Sequence, residues 1–489
     1  LLFAQYLGGS VASAMVNVTQ PFAVTLPYLS QYGGAIKAGG QMRRALADVF
    51  KKSTGDAALD AALKKAEDDG IVSPQEVHQL MAQAQGRGSL KSGDGTRAGD
   101  AAAKASNALS KLSLAWGKFF STAEQFNRRI TFIAAYRTAV AQGMADPAAF
   151  AADVVNQTQF TYNKGNKPAW ARGAIGGTLF TFKTYSIAYV ELMNRLWRSG
   201  PEGKKAALLG LAILMLMSGV DELPFVEDAE DVIDGALQRM GYNFSTKQQR
   251  EQFLTNLLGE GVGRFVQKGV SGLPGVPVDL SGRLGMGNLL PGTGLFMKKT
   301  DYSRDIGEFA GPAGDFAKRL FQGAGQALGG DLGKAATTVS PVAARNVVKA
   351  FDMAGTGMYR DDRGRKVLDT TAYEAAAKAI GFQPTDVARV QDATGMQQRM
   401  IALVKIRETE IADRWAQGIF EKNPDKVAAA RAELLDWNTK NPEAPIRIAP
   451  AQVKKRVQTM SQDKATRIAK TAPPEIRDSV RRELAGIDR

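Results

Sequence analysis

Between Leu1 and Ile36 the chain carries no charged side chain, and Lys37 is the first. In a sequence that is 23% charged with a formal net charge of +14, so long an uncharged run must be covered by something other than water. Long Ala-rich helical stretches follow it. The combination points to a protein that lives beside lipid or inside a large assembly, not to a self-contained soluble enzyme. Leu1 is not a Met, so the sequence is expected to start inside a longer polypeptide.

A chain of 489 residues exceeds one ordinary core and suggests two to four domains. It has no Cys, which excludes disulfides, thiolate catalysis and Cys-ligated metal sites. The excess of positive charge favours polyanionic partners, nucleic acid or the anionic face of a membrane. Interspersed Asp and Glu make most of the Lys and Arg ordinary solvated helix-face residues.

No strand-rich stretch and no fixed-period repeat occurs. The pattern predicts an all-α, elongated multi-helix assembly with one Gly/Pro-rich irregular segment, oligomeric as a ring or tube. Along the chain the expected organisation is a charge-free apolar segment over 1–40, a helical hairpin over 41–85 and a flexible linker over 86–100. A helical region with semi-hydrophobic helices covers 101–245, and the Gly/Pro-rich irregular segment 246–300. Ala/Gly-rich helical pieces cover 301–360, and a charged helical C-terminal region 361–489.

Within the first segment, Leu1–Thr19 is a candidate helix that Pro21 and Pro27 break or redirect. Gly9 and Ser13, and Ser10 and Ala14, place small residues four apart, which lets helix backbones approach closely. Lys65–Glu76 imitates a calcium loop, with Gly70 and Glu76 at its sixth and twelfth positions, but Lys65 stands where the first carboxylate belongs. Ser73, Pro74 and Glu76 instead make the capping box of a new helix. In the 101–140 stretch Trp116, Phe119, Phe120, Ala123, Phe126, Ile130 and Ile133 form one apolar stripe, read as core.

Ala206–Val220 is a run of 15 residues without charge, with Lys204 and Lys205 before it and Asp221 and Glu222 after it. Fifteen helical residues reach only ~22 Å, against the ~30 Å of a bilayer core. Membrane contact and soluble core are equally compatible with these residues. Asp221 to Asp234 then carries seven acids and no base, read as a solvated helix with its acids at the positive N-terminal end. The candidates for contact with lipid or neighbouring subunits are Leu1, Leu2, Phe3, Val11, Val16, Leu208, Leu211, Ile213, Leu214, Met215, Leu216 and Val220. Those for DNA or anionic lipid are Lys204, Lys205, Lys454, Lys455 and Arg456. The last three sit in a tail that, from Arg447 on, holds 11 Lys/Arg against 5 Asp/Glu.

Catalytic patterns fail on inspection. His78 is the single histidine, with no partner for a triad or a metal site in its neighbourhood of the sequence. Gly333-Lys334 resembles a Walker loop only in that dipeptide, because Leu328 holds the position of its first Gly and Ala335 that of its Ser/Thr. Glycoside cleavage needs only carboxylates, but no Glu-Ser dipeptide of the lytic transglycosylase kind occurs. The expectation is no enzyme, no catalytic residue, no metal and no cofactor.

Seven blocks in order carry a resemblance. They are Glu124–Arg129 (Glu-Gln-Phe-Asn-Arg-Arg), Asn163–Pro168, Phe180–Tyr185, Leu223–Asp231 (Leu-Pro-Phe-Val-Glu-Asp-Ala-Glu-Asp), Val278–Gly285, Asn288–Gly294 and Gly381–Pro384 (Gly-Phe-Gln-Pro). Together they resemble the C-terminal part of the large internal virion proteins of tailed phages, the PLxRFG class, similar to the large ejection protein of short-tailed phages. The resemblance spans roughly residues 1–383. The Pro-Leu-x-Arg-Phe-Gly motif itself does not occur in the chain and is expected upstream of Leu1.

The resemblance implies a protein packed in the capsid that leaves through the tail ahead of the genome. It implies assembly into an oligomeric conduit that passes the viral genome across the host envelope. The implied partners are other ejection proteins, phage double-stranded DNA, host inner-membrane lipids and copies of the chain itself. The implied location is the virion interior, then the host periplasm and inner membrane. The competing expectations are a peptidoglycan-cleaving virion enzyme and an autonomous pore-forming protein.

Overall fold

The computed structural model describes residues 11–72, 122–159, 184–281, 311–361, 364–461 and 476–485. They are overwhelmingly helical, with four strands of two to four residues. The chain forms two compact units. The first comprises 1–229, 249–292 and 303–392, and the second 230–248, 293–302 and 393–489. Each unit joins parts that are far apart in the chain.

The first unit opens with α1 (Val11–Val18), a π-helical turn (Pro21–Thr25) and α2 (Leu26–Ser30). Pro21 and Pro27 redirect the chain without unwinding it, because each sits in a first turn where the missing N–H has no intrahelical acceptor. Helix α3 (Ala35–Lys51) follows, and α4 (Ala57–Asp68) starts where the Asp56 carboxylate accepts from the Ala58 and Leu59 amides. Of the hairpin expected over 41–85 the described residues show α3, which begins at Ala35, and α4, while 73–85 lie outside the described residues. Helix α5 covers 122–141, and α6 (Pro147–Thr158) is capped by Asp146. Ile130 and Ile133 of the expected stripe are fully buried with Leu29, Met42, Leu59 and Val154.

A polar ring runs through this apolar core. Arg128 pairs with Glu124 at 3.0 Å and donates to the carbonyls of Ile71 (3.1 Å) and Gln159 (3.2 Å). Asn127 donates to the Asn17 carbonyl at 2.7 Å, while Gln159 donates to Thr131 at 2.9 Å. The Glu124–Arg129 block thereby ties α5 to the last turn of α1 and to the chain after α4 and after α6. Such groups stay buried because each charge finds a partner.

Helices α7 (Thr184–Arg198) and α8 (Pro201–Ser218) form a hairpin on the same core. Next come α9 (Val226–Arg239), α10 (Thr246–Leu258) and α11 (Glu260–Lys268). The segment 246–300, expected to be irregular, is therefore helical up to Lys268. Its glycines act there as helix boundaries (Gly259, Gly269) or contact points and do not dissolve the helix. Irregular chain begins with a 3-10 turn, Gly269–Gly272.

Strand β1 (Val278–Asp279) pairs antiparallel with β4 (Gln383–Pro384), joining two of the resemblance blocks across more than a hundred residues. Between them lie α12 (Gly311–Leu328), α13 (Leu332–Val339) and α14 (Val342–Thr356). A hairpin of β2 (Met358–Arg360) and β3 (Lys366–Asp369) follows, then α15 (Ala372–Ala379), which Thr371 and Glu374 close with a capping box. Met353, Tyr359, Ala375 and Val387 pack as a satellite core.

The second unit holds α16 (Thr385–Phe420) from Ala393 on, α17 (Pro424–Lys440), α18 (Pro450–Met460) and α19 (Arg477–Ala485). Asn423-Pro424 and Pro450 stand at the starts of α17 and α18, and Asn441-Pro442 at the end of α17. Leu403, Ile411, Trp437 and Ile446 form its core, and the Trp437 indole donates to the Ala444 carbonyl at 3.0 Å.

The acidic run departs from its expected solvated state. Asp221, Asp228, Glu230 and Asp234 are all buried. Asp221 is paired with Arg250 at 2.7 Å and lies 3.4 Å from Lys268. Asp234 accepts from the Thr246 amide (2.7 Å) and hydroxyl (2.5 Å), which starts α10. The same helix exposes Val232 and Ile233. Partners 12 and 29 residues downstream invert the faces that hydropathy alone assigns.

Candidate interaction surface

Helix α8 has the feature most in need of explanation. Its buried positions are Gly203, Ala206, Ala207, Gly210, Leu214 and Ser218, five of the six being small. Positions 203, 207, 210, 214 and 218 recur at helical spacing and make one inward stripe. The opposite stripe is Leu208, Ala212 and Leu216, and both leucines are 54% exposed. The helix turns its small side chains in and its large ones out, the reverse of a soluble amphipathic helix.

The inward side is built for close approach. A Cβ at Gly203 would lie 2.2 Å from the Leu196 carbonyl oxygen, and one at Gly210 would lie 2.9 Å from the Met193 sulfur. Helix α7 thus packs almost backbone to backbone against α8. Its Tyr189 is fully buried beside Gly210, and burial pushes the phenol far above its usual value. At the other end Gly219, with φ +84°, lets α8 stop against α11.

The α7–α8 turn gathers charge and an aromatic ring. Arg195, Trp197, Arg198, Lys204 and Lys205 are all exposed there. The Lys204 ammonium stands 5.8 Å from the Trp197 ring centroid, and Lys205 pairs with Glu202 at 2.6 Å. At the far end the buried Asp221–Arg250–Lys268 cluster fixes the chain. Burial alone would lower the Lys268 pKa, but Asp221 and Asp392 (2.9 Å) outweigh it, so the ammonium is held above its usual value.

The sequence-predicted contact residues divide. Leu208 and Leu216 are exposed, Met215 and Val220 half-buried, and Leu211 and Ile213 half-buried against the core. Leu214 is wholly inside that core, so it offers nothing to a partner of this fold. Val11 is half-buried, Val16 packs on Ala12, Ala377 and Phe382, and Leu1, Leu2 and Phe3 lie outside the described residues. Among the cations, Lys454 and Lys455 are exposed, while Arg456 is spent on an ion pair with Asp413. Composition alone did not single out Arg195, Trp197 and Arg198. Their signal was adjacency, a basic–aromatic cluster directly before an uncharged run.

Among the described residues no helix is long and apolar enough to cross a membrane, and no group of His, Asp or Glu is arranged to hold a metal ion. No known protein family, no curated protein and no solved structure matches the chain.

Proposed function

We propose that the chain is an internal virion (ejection) protein of a tailed phage, a structural part of an oligomeric conduit that carries the genome across the host envelope. The observation that supports this reading best is α8, whose apolar outer face, Leu208 and Leu216, is left half-exposed by the described residues. A helix with small residues inward and leucines outward suits burial on both sides, once in its own core and once against a neighbouring copy, a sister protein or lipid. Covering the exposed half of each leucine is worth about 1 kcal/mol, so a ring that repeats the contact gains stability by multiplicity.

The cations and Trp197 at the α7–α8 turn suit the headgroup level of an anionic membrane. Lys454 and Lys455 are the described candidates of the basic tail for phosphate of double-stranded DNA. On this reading the protein travels inside the capsid and then acts at the host periplasm and inner membrane.

Co-sedimentation of the full chain with anionic liposomes, alone and with its sister virion proteins, tests the proposal. Association that is lost in Leu208→Glu/Leu216→Glu supports it. Leakage of liposomes by the chain alone would favour an autonomous pore-former, and cleavage of purified cell-wall sacculi a muralytic enzyme.

A further inference from the structure

A shallow cleft of about 200 Å³ opens between the start of α3 and the end of α5. Its floor is Leu29, Tyr32 and Ala38, and one wall is Thr138, Ala141 and Gln142. The other wall presents Lys37, Gln41 and Arg44, spaced by four and three residues and so on one face of α3. Lys37 is the residue that ends the long charge-free run.

Three observations define what this cleft accepts. Two cations line it and no carboxylate does. Neither Lys37 nor Arg44 has an ion pair among the described residues, although ion pairs are common elsewhere in the fold: Arg137 with Asp48, Arg129 with Glu67. The close approach of Gln142 to the turn before α3 also depends on Gly33, where a Cβ would lie 3.0 Å from the Gln142 amide nitrogen. The cleft is therefore open and smaller than the 300–1,000 Å³ of drug-sized sites, with the exposed cations Lys37 and Arg44 on its rim. A compact anion fits, and a planar guanidinium beside an ammonium matches the oxygens of a phosphate group.

We propose that this cleft binds one phosphate group, with Arg44 and Lys37 as its ligands and the amide and hydroxyl groups of Gln142 and Thr138 bordering the site. The group is either free phosphate or the phosphate of a lipid headgroup. The inference does not depend on the phage reading.

Titration of the full chain with inorganic phosphate in a calorimeter, at constant ionic strength set with chloride, tests it. One saturable site is expected. Lys37→Gln/Arg44→Gln should weaken it at least tenfold, since each lost charge-assisted contact is worth about that much. Lys64→Gln, an exposed cation on α4, should leave it unchanged. Ala141→Glu keeps both cations and places a carboxylate on the cleft wall; it should abolish binding while preserving the helical spectrum. Competition by phosphatidylglycerol vesicles assigns the lipid headgroup as source, and indifference to them assigns free phosphate. Absence of saturable binding, or binding that survives both the double variant and Ala141→Glu, overturns the proposal.

Discussion

The main chain at Gln267 crosses Gly219 so closely that a Cβ at position 219 would lie 1.9 Å from the Gln267 carbonyl oxygen. Gly219 also has φ +84°, so backbone geometry and space both demand glycine where α8 ends against α11.

Gly219→Ala should therefore be among the most disruptive single changes in the first unit, destabilising it by about 3 kcal/mol or more. Gly259→Ala is the control. Its φ is +79° and its ψ +164°, yet a Cβ there meets nothing within 4 Å, so only the backbone penalty of this glycine-favoured conformation, roughly 1–3 kcal/mol, applies. Urea denaturation of the two variants measures the difference, which is the energetic weight of the crossing. Equal losses would mean the crossing contributes nothing.

Tyr189→Phe should be neutral or stabilising by up to about 1 kcal/mol. The Tyr189 hydroxyl is buried in the α7–α8 seam with no hydrogen-bond partner among the described residues, and removing an unsatisfied polar group relieves its desolvation cost. A thermal melt that shifts downward by several degrees would show that the hydroxyl has a partner in solution.

Asp221→Asn should destabilise the first unit by about 2 kcal/mol. The carboxylate is 5% exposed, and its loss removes the 2.7 Å ion pair with Arg250 and one of the two carboxylates beside Lys268, which keeps Asp392 at 2.9 Å. A double-mutant cycle with Arg250→Met should give a coupling of the same order. Additive effects would remove the pair from the forces that hold α8 in place.

Much of the helical layout was legible in the sequence because caps and prolines are local signals. Asp146-Pro147, Asn423-Pro424 and Pro450 mark helix starts where they stand. The buried face of α5 followed from spacing alone, through Ile130 and Ile133. What stayed hidden depends on partners distant in sequence. The acids of 221–234 read as solvated because Arg250 and Thr246 cannot be assigned to them by periodicity. Helix α11 hid behind glycines, one of which serves contact: Gly263 lies with its missing Cβ 3.1 Å from the Leu254 carbonyl oxygen of α10. At the candidate surface, the charge-free run marked α8, but an unbroken apolar sequence says nothing about which side faces in. That choice rests on residue size, with Gly203 and Gly210 admitting α7 and Leu208 and Leu216 left outside.

The most direct measurement is sedimentation velocity of the full chain with and without anionic liposomes, for the native sequence and for Leu208→Glu/Leu216→Glu, with circular dichroism to confirm equal helicity. The native chain should self-associate or float with the lipid, and the double variant should sediment as a folded monomer. A native chain that stays a monomer and ignores lipid, or a variant that associates just as well, would contradict a role for the outer face of α8.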